Sequence, residues 1–314
     1  MKLKTPFCEV AVALFVIAEF GVATAAEAEQ KVVVQHPNLL LNRTEIDQIK
    51  LKVRDHRCAA RLLELVKTKA EKEDALTEDA LSYALIGEAR YAIKVRNRLL
   101  REAREQMPHY DKLDVKAEPE WARWNWWGAT AWAYDLAYDA LSSDERVEIE
   151  RWLRTAGRAI IAQENIHTTT PNLVFDEHWR VGIIGYCLGD HELIDWALSD
   201  PGRHGPSRGG FYPVMDTMIR DEQFWAEAPI YALHYDVHGM FALAEAALRY
   251  DGTDLYKYIS PKTGASLKKI VDGYLRMAFP LERDGTQGGK IRLATFGDGS
   301  TGALVNGQVD RYIP

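Results

Sequence analysis

At 314 residues, 47% hydrophobic and 27% charged, the chain has the composition of an ordinary folded protein, with room for one large domain or two small ones, and disorder is excluded as its main state. The formal net charge of -7, from 39 basic and 46 acidic residues, argues against non-specific binding to nucleic acid or to a membrane surface. An acidic substrate would need Arg and Lys gathered in a cleft.

Lys2 and Lys4 precede an apolar run from about Val10 to Val22, and Ala23 to Ala26 suit a cleavage site, so residues 1–26 read as an export signal. The mature chain is then expected in the periplasm or outside the cell, with no membrane association once the signal is removed. Glu9 and Glu19 interrupt the run, which leaves an uncleaved anchor or a helix of the fold as the alternative. Cys8 would leave with the signal. Cys58 and Cys187 remain as a pair that an oxidising compartment permits and nothing in the sequence forces, and no CxxC motif is present.

In HPNLLLNRTEIDQIK an extended segment precedes a helix, with Thr44 as N-cap and Ile46, Ile49 and Val53 at helical spacing, and that helix is expected to run to about Lys69. Thr77 to Gly87 and Arg90 to Glu105 read as a helical pair with Leu81, Leu85, Ala92, Val95 and Leu99 turned inward; Met107 to Glu120 reads as a loop. Two strong helices follow, joined at Ser142 and Ser143, where Ser142 and Glu145 have capping-box spacing. The first carries Trp121, Trp124, Asn125, Trp126, Trp127, Trp132, Tyr134 and Tyr138, more aromatics than one core face absorbs. Flat rings stack on the C–H faces of pyranoses, so part of this set, Asn125 and Trp126 included, is a candidate sugar groove; core packing is the alternative for each ring.

A Thr-rich loop, HTTTPNLVFDEH, leads into WRVGIIGYCLG, with Pro171 and Asn172 marking non-helical backbone before the helix. Another helix is expected from His191 to Leu198, and residues 199–211 form a Gly- and Pro-rich loop with Arg203, His204 and Arg208, whose length suggests a lid or a substrate-binding loop. After Tyr212 to Arg220 comes DEQFWAEAPIYALHYDVHGMFALAEAALRY, residues 221–250, the centre of the functional reading. At about 100° per residue, Ile230, Leu233, Val237, Phe241, Ala244 and Leu248 share one apolar side. Beside it runs a stripe of Glu227, Tyr231, His234, Tyr235 and His238, groups that donate, accept or move protons. That stripe is either the wall of a site or a set of hydrogen-bonded core side chains. Gly252 breaks the chain, Ala265 to Phe279 reads as a last helix, and beyond Pro280 the text turns Gly-rich and strand-like.

Antiparallel helical hairpins without a βαβ period make the expected fold all-α: an α/α toroid over residues 27–283, with residues 284–314 as a Gly-rich segment opening a truncated remainder. A helical solenoid is the alternative, but no fixed-length repeat is present.

His234 and His238 have the one-turn spacing of two zinc ligands, but Tyr235 stands where a zinc protease needs Glu. FGDGSTG lacks the GK[ST] ending of a phosphate loop, and no GxSxG elbow is present. No metal or cofactor is expected. What remains is a Tyr/His/Asn/Arg set: Asn172, His178, Arg180, Tyr231 and Tyr235.

On HPNLLLNRTEIDQIK, WGATAWAYDLAYDALSSDERVEIERWL, DEHW, WAEAPIYALHYDVHGMFALAEAALRYDGTDLY and ATFGDG, the chain resembles the alginate lyase and heparinase II/III-like polysaccharide lyases, helical toroids that act on uronic-acid polymers. In these a His at a helix start and a Tyr further on face the scissile sugar; His178 and Tyr235, 57 residues apart, match. The family pattern has Asn before that His, and Glu177 stands there instead. The resemblance then implies Tyr235 as general base and acid, His178 as carboxylate neutraliser or alternative base, and Asn172 and Arg180 as neutralisers, with Arg220 or Arg292 as further sources of positive charge. Tyr231, Glu227, His234, His238, Trp126, Asn125, Arg208 and Arg292 would bind an anionic polysaccharide. Two rivals stay open: a toroid glycoside hydrolase using paired carboxylates among Asp176, Glu177, Asp221 and Glu227, and an exported, non-catalytic oligouronate-binding protein.

Overall fold

The computed structural model describes residues 34–72, 75–110, 127–162, 171–200, 209–217, 219, 236–280 and 291–293. Eleven α-helices dominate them: α1 Arg43–Asp55, α2 Arg57–Ala70, α3 Leu76–Ile86, α4 Ala89–Tyr110, α5 Trp127–Leu136, α6 Ser143–Ala162, α7 Pro171–Leu188, α8 His191–Ser199, α9 Phe211–Thr217, α10 His238–Tyr250 and α11 Leu267–Met277. Two three-residue strands, β1 Ala278–Pro280 and β2 Ile291–Leu293, pair antiparallel with Phe279 opposite Arg292. The fold class is all-α, as the sequence pattern implies.

Helices α3, α5, α7 and α10 pack side by side as one row, and α4, α6 and α8 as a second row against it. Composition sorts them. WGATAWAYDL of α5 carries one charged residue and is buried at all ten positions, as a helix that is apolar all round must be. By contrast α6 buries only Ile149, Trp152, Leu153, Ala156, Gly157 and Ile160, one stripe at helical spacing. Arg104 pairs through two nitrogens with Glu148 at 2.8 and 2.9 Å, Arg96 pairs with Glu145, and Trp152 Nε1 donates to Gln106 Oε1 at 3.0 Å. Partner numbers rise together, so α4 and α6 run in the same direction: consecutive hairpins are laid alongside one another.

Several boundaries differ from the sequence reading. Asn42, not Thr44, caps α1: its side chain accepts from Glu45 N, and Glu45 accepts from Asn42 N, a reciprocal capping box. The helix expected to reach Lys69 breaks at His56, which is extended at φ −126° and ψ 119°. Met107 to Tyr110 continue α4 rather than opening a loop, with Pro108 in the last turn. Pro171 begins α7 instead of preceding it, because the fixed φ and missing N–H of proline suit the first helical position. The box at Ser142 and Glu145 forms as read.

The aromatic surplus near Trp127 resolves into core: Trp127, Trp132 and Tyr134 are buried, and Trp127 meets Trp152 edge-on at 5.3 Å. Trp121, Trp124, Asn125 and Trp126 lie outside the described residues. Cys58 is exposed and Cys187 buried, and the disulfide left open between them is not formed. Residues 1–26 also lie outside the described residues, among which no helix is long and apolar enough to cross a membrane.

An N-terminal strap closes the packing. Asp135 of α5 accepts from His36 Nδ1 at 2.6 Å and from the backbone N–H groups of Asn38 and Leu39 at 2.8 Å each. The Asn38 amide donates to the carbonyl of Arg249 on α10 at 3.1 Å, and Arg249 reaches back to Glu45 at 2.9 Å. Residues far apart in sequence are thereby tied at one end of the helical rows.

Candidate functional site

Helix α7 carries Asp176, Glu177, His178 and Arg180 within two turns, and all four are buried. Charged groups are seldom buried unless paired. Asp176 and Arg180, one turn apart, form an ion pair, and Trp179 Nε1 donates to Asp176 Oδ1 at 2.9 Å. Burial pushes the Asp176 carboxyl up to about 6, against the opposing pull of Arg180.

Trp179 sets how closely the neighbouring helices approach. A Cβ on Gly128 of α5 would stand 2.5 Å from Trp179 Cζ3, and one on Gly239 of α10 would overlap its five-membered ring. Only glycine lets both helices close onto the indole. His238, half-buried at the start of α10, meets Trp179 edge-on at 5.0 Å.

His178 faces the other way, into α8. Its Nε2 lies 2.9 Å from Asp200 Oδ2, and its ring lies flat on Trp196 with centroids 3.7 Å apart and planes 7° apart. The imidazole is wholly buried. It sits on the eighth residue of α7, two turns in, rather than at the helix start that the resemblance implied. The backbone of Asp200 is held on both sides, its N–H donating to Trp196 O at 3.1 Å and its carbonyl accepting from Gly210 N at 2.9 Å.

Asp200 and Trp196 were not singled out from sequence. A positional signal does exist: α7 and α8 form a hairpin about Gly189, which has φ +63°, and His178 and Asp200 each stand 11 residues from it (189 − 178 and 200 − 189). Residues equidistant from the turn of a helical hairpin come level with each other.

On the focal stretch, Asp236 and Val237 form a π-helical turn before α10. The buried stripe of α10 runs through Met240, Leu243, Ala244, Ala247 and Tyr250; Phe241 and Leu248, expected inward, are half-buried. A uniform 100° step does not carry phase through a π turn. Glu227, Tyr231, His234 and Tyr235 lie outside the described residues, as do Arg208 and Arg220; so does the side chain of Asn172, whose backbone is in the first turn of α7. Arg292 is placed only as a member of β2. Thus Arg180 and His238 both meet Trp179, whereas His178, on the same helix as Arg180, turns to Asp200 and Trp196.

Two other constellations stand apart. His36, Asp135 and Cys187 bring three potential metal-ligating atoms within 4.8 Å of one another. The 2.6 Å between His36 Nδ1 and Asp135 Oδ1 is a hydrogen bond; two ligands on a tetrahedral ion with bonds of about 2.0 Å would be about 3.3 Å apart. Along α4 a groove of about 430 Å³ is lined by Arg96, Asn97, Leu100, Arg101, Arg104 and Glu105. Glu145 and Glu148 offset Arg96 and Arg104, and the Arg96 guanidinium holds the Glu145 carboxyl down at about 2.

No curated protein matches the chain. Residues 125–279 match the family model described as alginate lyase, a stretch running from the start of α5 to β1 that includes α7, α8 and α10. That match supports an alginate lyase-like polysaccharide lyase, a family whose substrates are anionic polysaccharides.

Proposed function

We propose that this lyase cleaves a uronic-acid-containing polymer, of alginate or glucuronan type, by β-elimination, with Tyr235 as the proton-transfer residue. The family match, spanning both His178 and Tyr235, carries the reading. Lytic cleavage removes the C5 proton, acidic because it lies α to the C6 carboxylate, and expels the oxygen on C4. Abstraction builds further negative charge on an already ionised carboxylate, so donors must be aimed at its oxygens beforehand. His178, Asn172 and Arg180 are the residues assigned to that task. Tyr235 takes the C5 proton as phenolate and returns it as phenol to the leaving O4, which needs its pKa of about 10 lowered by neighbouring positive charge.

His178 is held for that task by Asp200, whose Oδ2 lies 2.9 Å from Nε2. The rival hydrolase reading finds little support on α7, where Asp176 is already engaged with Arg180 and Trp179. We further propose that the two helical rows curve into an α/α toroid and that the chain is exported.

The test is a panel of uronate polymers, with the near-ultraviolet absorbance of the C4=C5 product as signal. Tyr235→Phe leaves the ring to pack, and its turnover should fall by about 10² or more with substrate binding little changed. A folded variant keeping more than about a tenth of wild-type turnover would exclude Tyr235 as the proton carrier.

A further inference from the structure

His36, Asp135 and Cys187 come from three elements that meet at one end of the helical rows: the N-terminal strap, α5 and α7. One atom of each, an imidazole nitrogen, a carboxylate oxygen and a thiol sulfur, lies within 4.8 Å of the other two. The carboxylate is aimed by a second layer of hydrogen bonds: Asp135 Oδ2 accepts from the backbone N–H groups of Asn38 and Leu39 at 2.8 Å each, which turns Oδ1 toward His36. Stacking on Tyr138 at 4.0 Å holds the imidazole in its plane, with Tyr134 edge-on at 5.7 Å, and leaves it able to slide within that plane. Cys187 is a buried free thiol whose Sγ donates weakly to the carbonyl of Ala131 at 3.8 Å.

We infer that His36 Nδ1, Asp135 Oδ1 and Cys187 Sγ form a zinc-binding site that fastens the N-terminal strap to α5 and α7. The donor types select the ion, because imidazole with thiolate suits zinc, whereas calcium and magnesium take oxygen ligands. Charge balances in this buried place: one thiolate and one carboxylate neutralise a divalent cation, and a neutral imidazole adds nothing. Three protein ligands leave the fourth tetrahedral position to water. Zinc takes the place of the proton that joins His36 to Asp135 at 2.6 Å, and the two atoms part to the separation of about 3.3 Å that neighbouring ligands have on a tetrahedral ion. The strap supplies that movement, since His36 is the half-buried member and the other two are buried on helices. Protons balance as well. The Cys187 thiol releases its proton to solvent, and the proton of the neutral His36 ring passes from Nδ1 to Nε2, so binding tightens as pH rises.

Titration of cobalt(II) into the reduced protein tests it, because a thiolate ligand gives cobalt a near-ultraviolet charge-transfer band. One equivalent of cobalt should bring up that band, and zinc, the tighter binder, should remove it. Zinc at a hundred times its Kd should also raise Tm by about 4 °C or more. Cys58→Ser, which removes the exposed thiol, should keep the band, and Cys187→Ala should abolish it. His36→Gln leaves the core thiol in place and should weaken cobalt binding by at least the tenfold or so that losing an outer partner costs, so the test stands even where Cys187→Ala does not fold. A wild-type protein that gives no band or whose Tm ignores zinc overturns the site. So does a one-equivalent band that survives Cys187→Ala or is lost in Cys58→Ser, or a His36→Gln that binds cobalt as tightly as the wild type.

Discussion

The chain holds two histidine–aspartate pairs of similar geometry, and they do different things. His36 and Asp135 are 2.6 Å apart, with the imidazole stacked on Tyr138 at 4.0 Å; His178 and Asp200 are 2.9 Å apart, with the imidazole stacked on Trp196 at 3.7 Å. In the first pair the carboxylate also accepts two backbone N–H groups of the N-terminal strap, so the histidine is one of three donors serving a carboxylate that ties the strap to α5. In the second pair it is the backbone of Asp200 that is held, its N–H donating to Trp196 O and its carbonyl accepting from Gly210 N. A His–Asp contact is therefore not a functional signature in itself; what else holds the aspartate separates one pair from the other.

The largest effect that would break this contrast is on the clasp. Asp135→Ala leaves three donors without their acceptor, one of them the buried Leu39 N–H, and should destabilise the fold by about 3 to 5 kcal/mol while turnover per folded molecule is kept. Denaturant unfolding beside an activity titration measures both; loss of turnover in the folded fraction would make the clasp part of the site. Next comes Gly239→Ala, whose new methyl must displace Trp179: overpacking here should cost about 1 to 3 kcal/mol. Because Trp179 lies between His178 and Arg180 in α7, turnover should fall with stability, and a variant that unfolds earlier but cleaves normally would uncouple Trp179 from the chemistry.

Asn42→Ala, beyond the strap, removes a cap worth about 1 kcal/mol and should leave kcat unchanged, which thermal unfolding and initial rates check together. A further effect is one of pH. Burial lifts the Asp176 carboxyl from an ordinary 3.8 to about 6, so the folded chain holds a proton that the unfolded chain has already lost. That contribution favours the folded state below about pH 4 and is lost as pH rises to about 6. Asp176→Asn should remove this part of the stability–pH slope, and an unchanged slope in unfolding curves between pH 4 and 7 would show that Asp176 does not titrate in that window.

Much of the scaffold was legible from local sequence. The α3–α4 pair, the Ser142–Glu145 box and the helix after Gly189 follow from caps and periodicity that act within a few residues. The Asn42 cap was misread because Thr44 also suits that position, and the choice rests on which reciprocal bonds close. The phase of α10 was lost at a π turn that no residue type announces.

At the site, sequence by itself determined the chemistry available: an all-α chain with His178 and Arg180 on one helix and His238 on another, in a stretch that matches an alginate lyase family. Only the tertiary structure decided the partners. Asp200 reaches His178 because a hairpin about Gly189 folds α8 back along α7, and Trp179 meets His238 because two glycines let three helices close on one indole. Helix periodicity acts over a few residues, whereas a buried hydrogen bond forms between whichever groups packing leaves face to face; the first is written in local spacing, the second only in the assembled core.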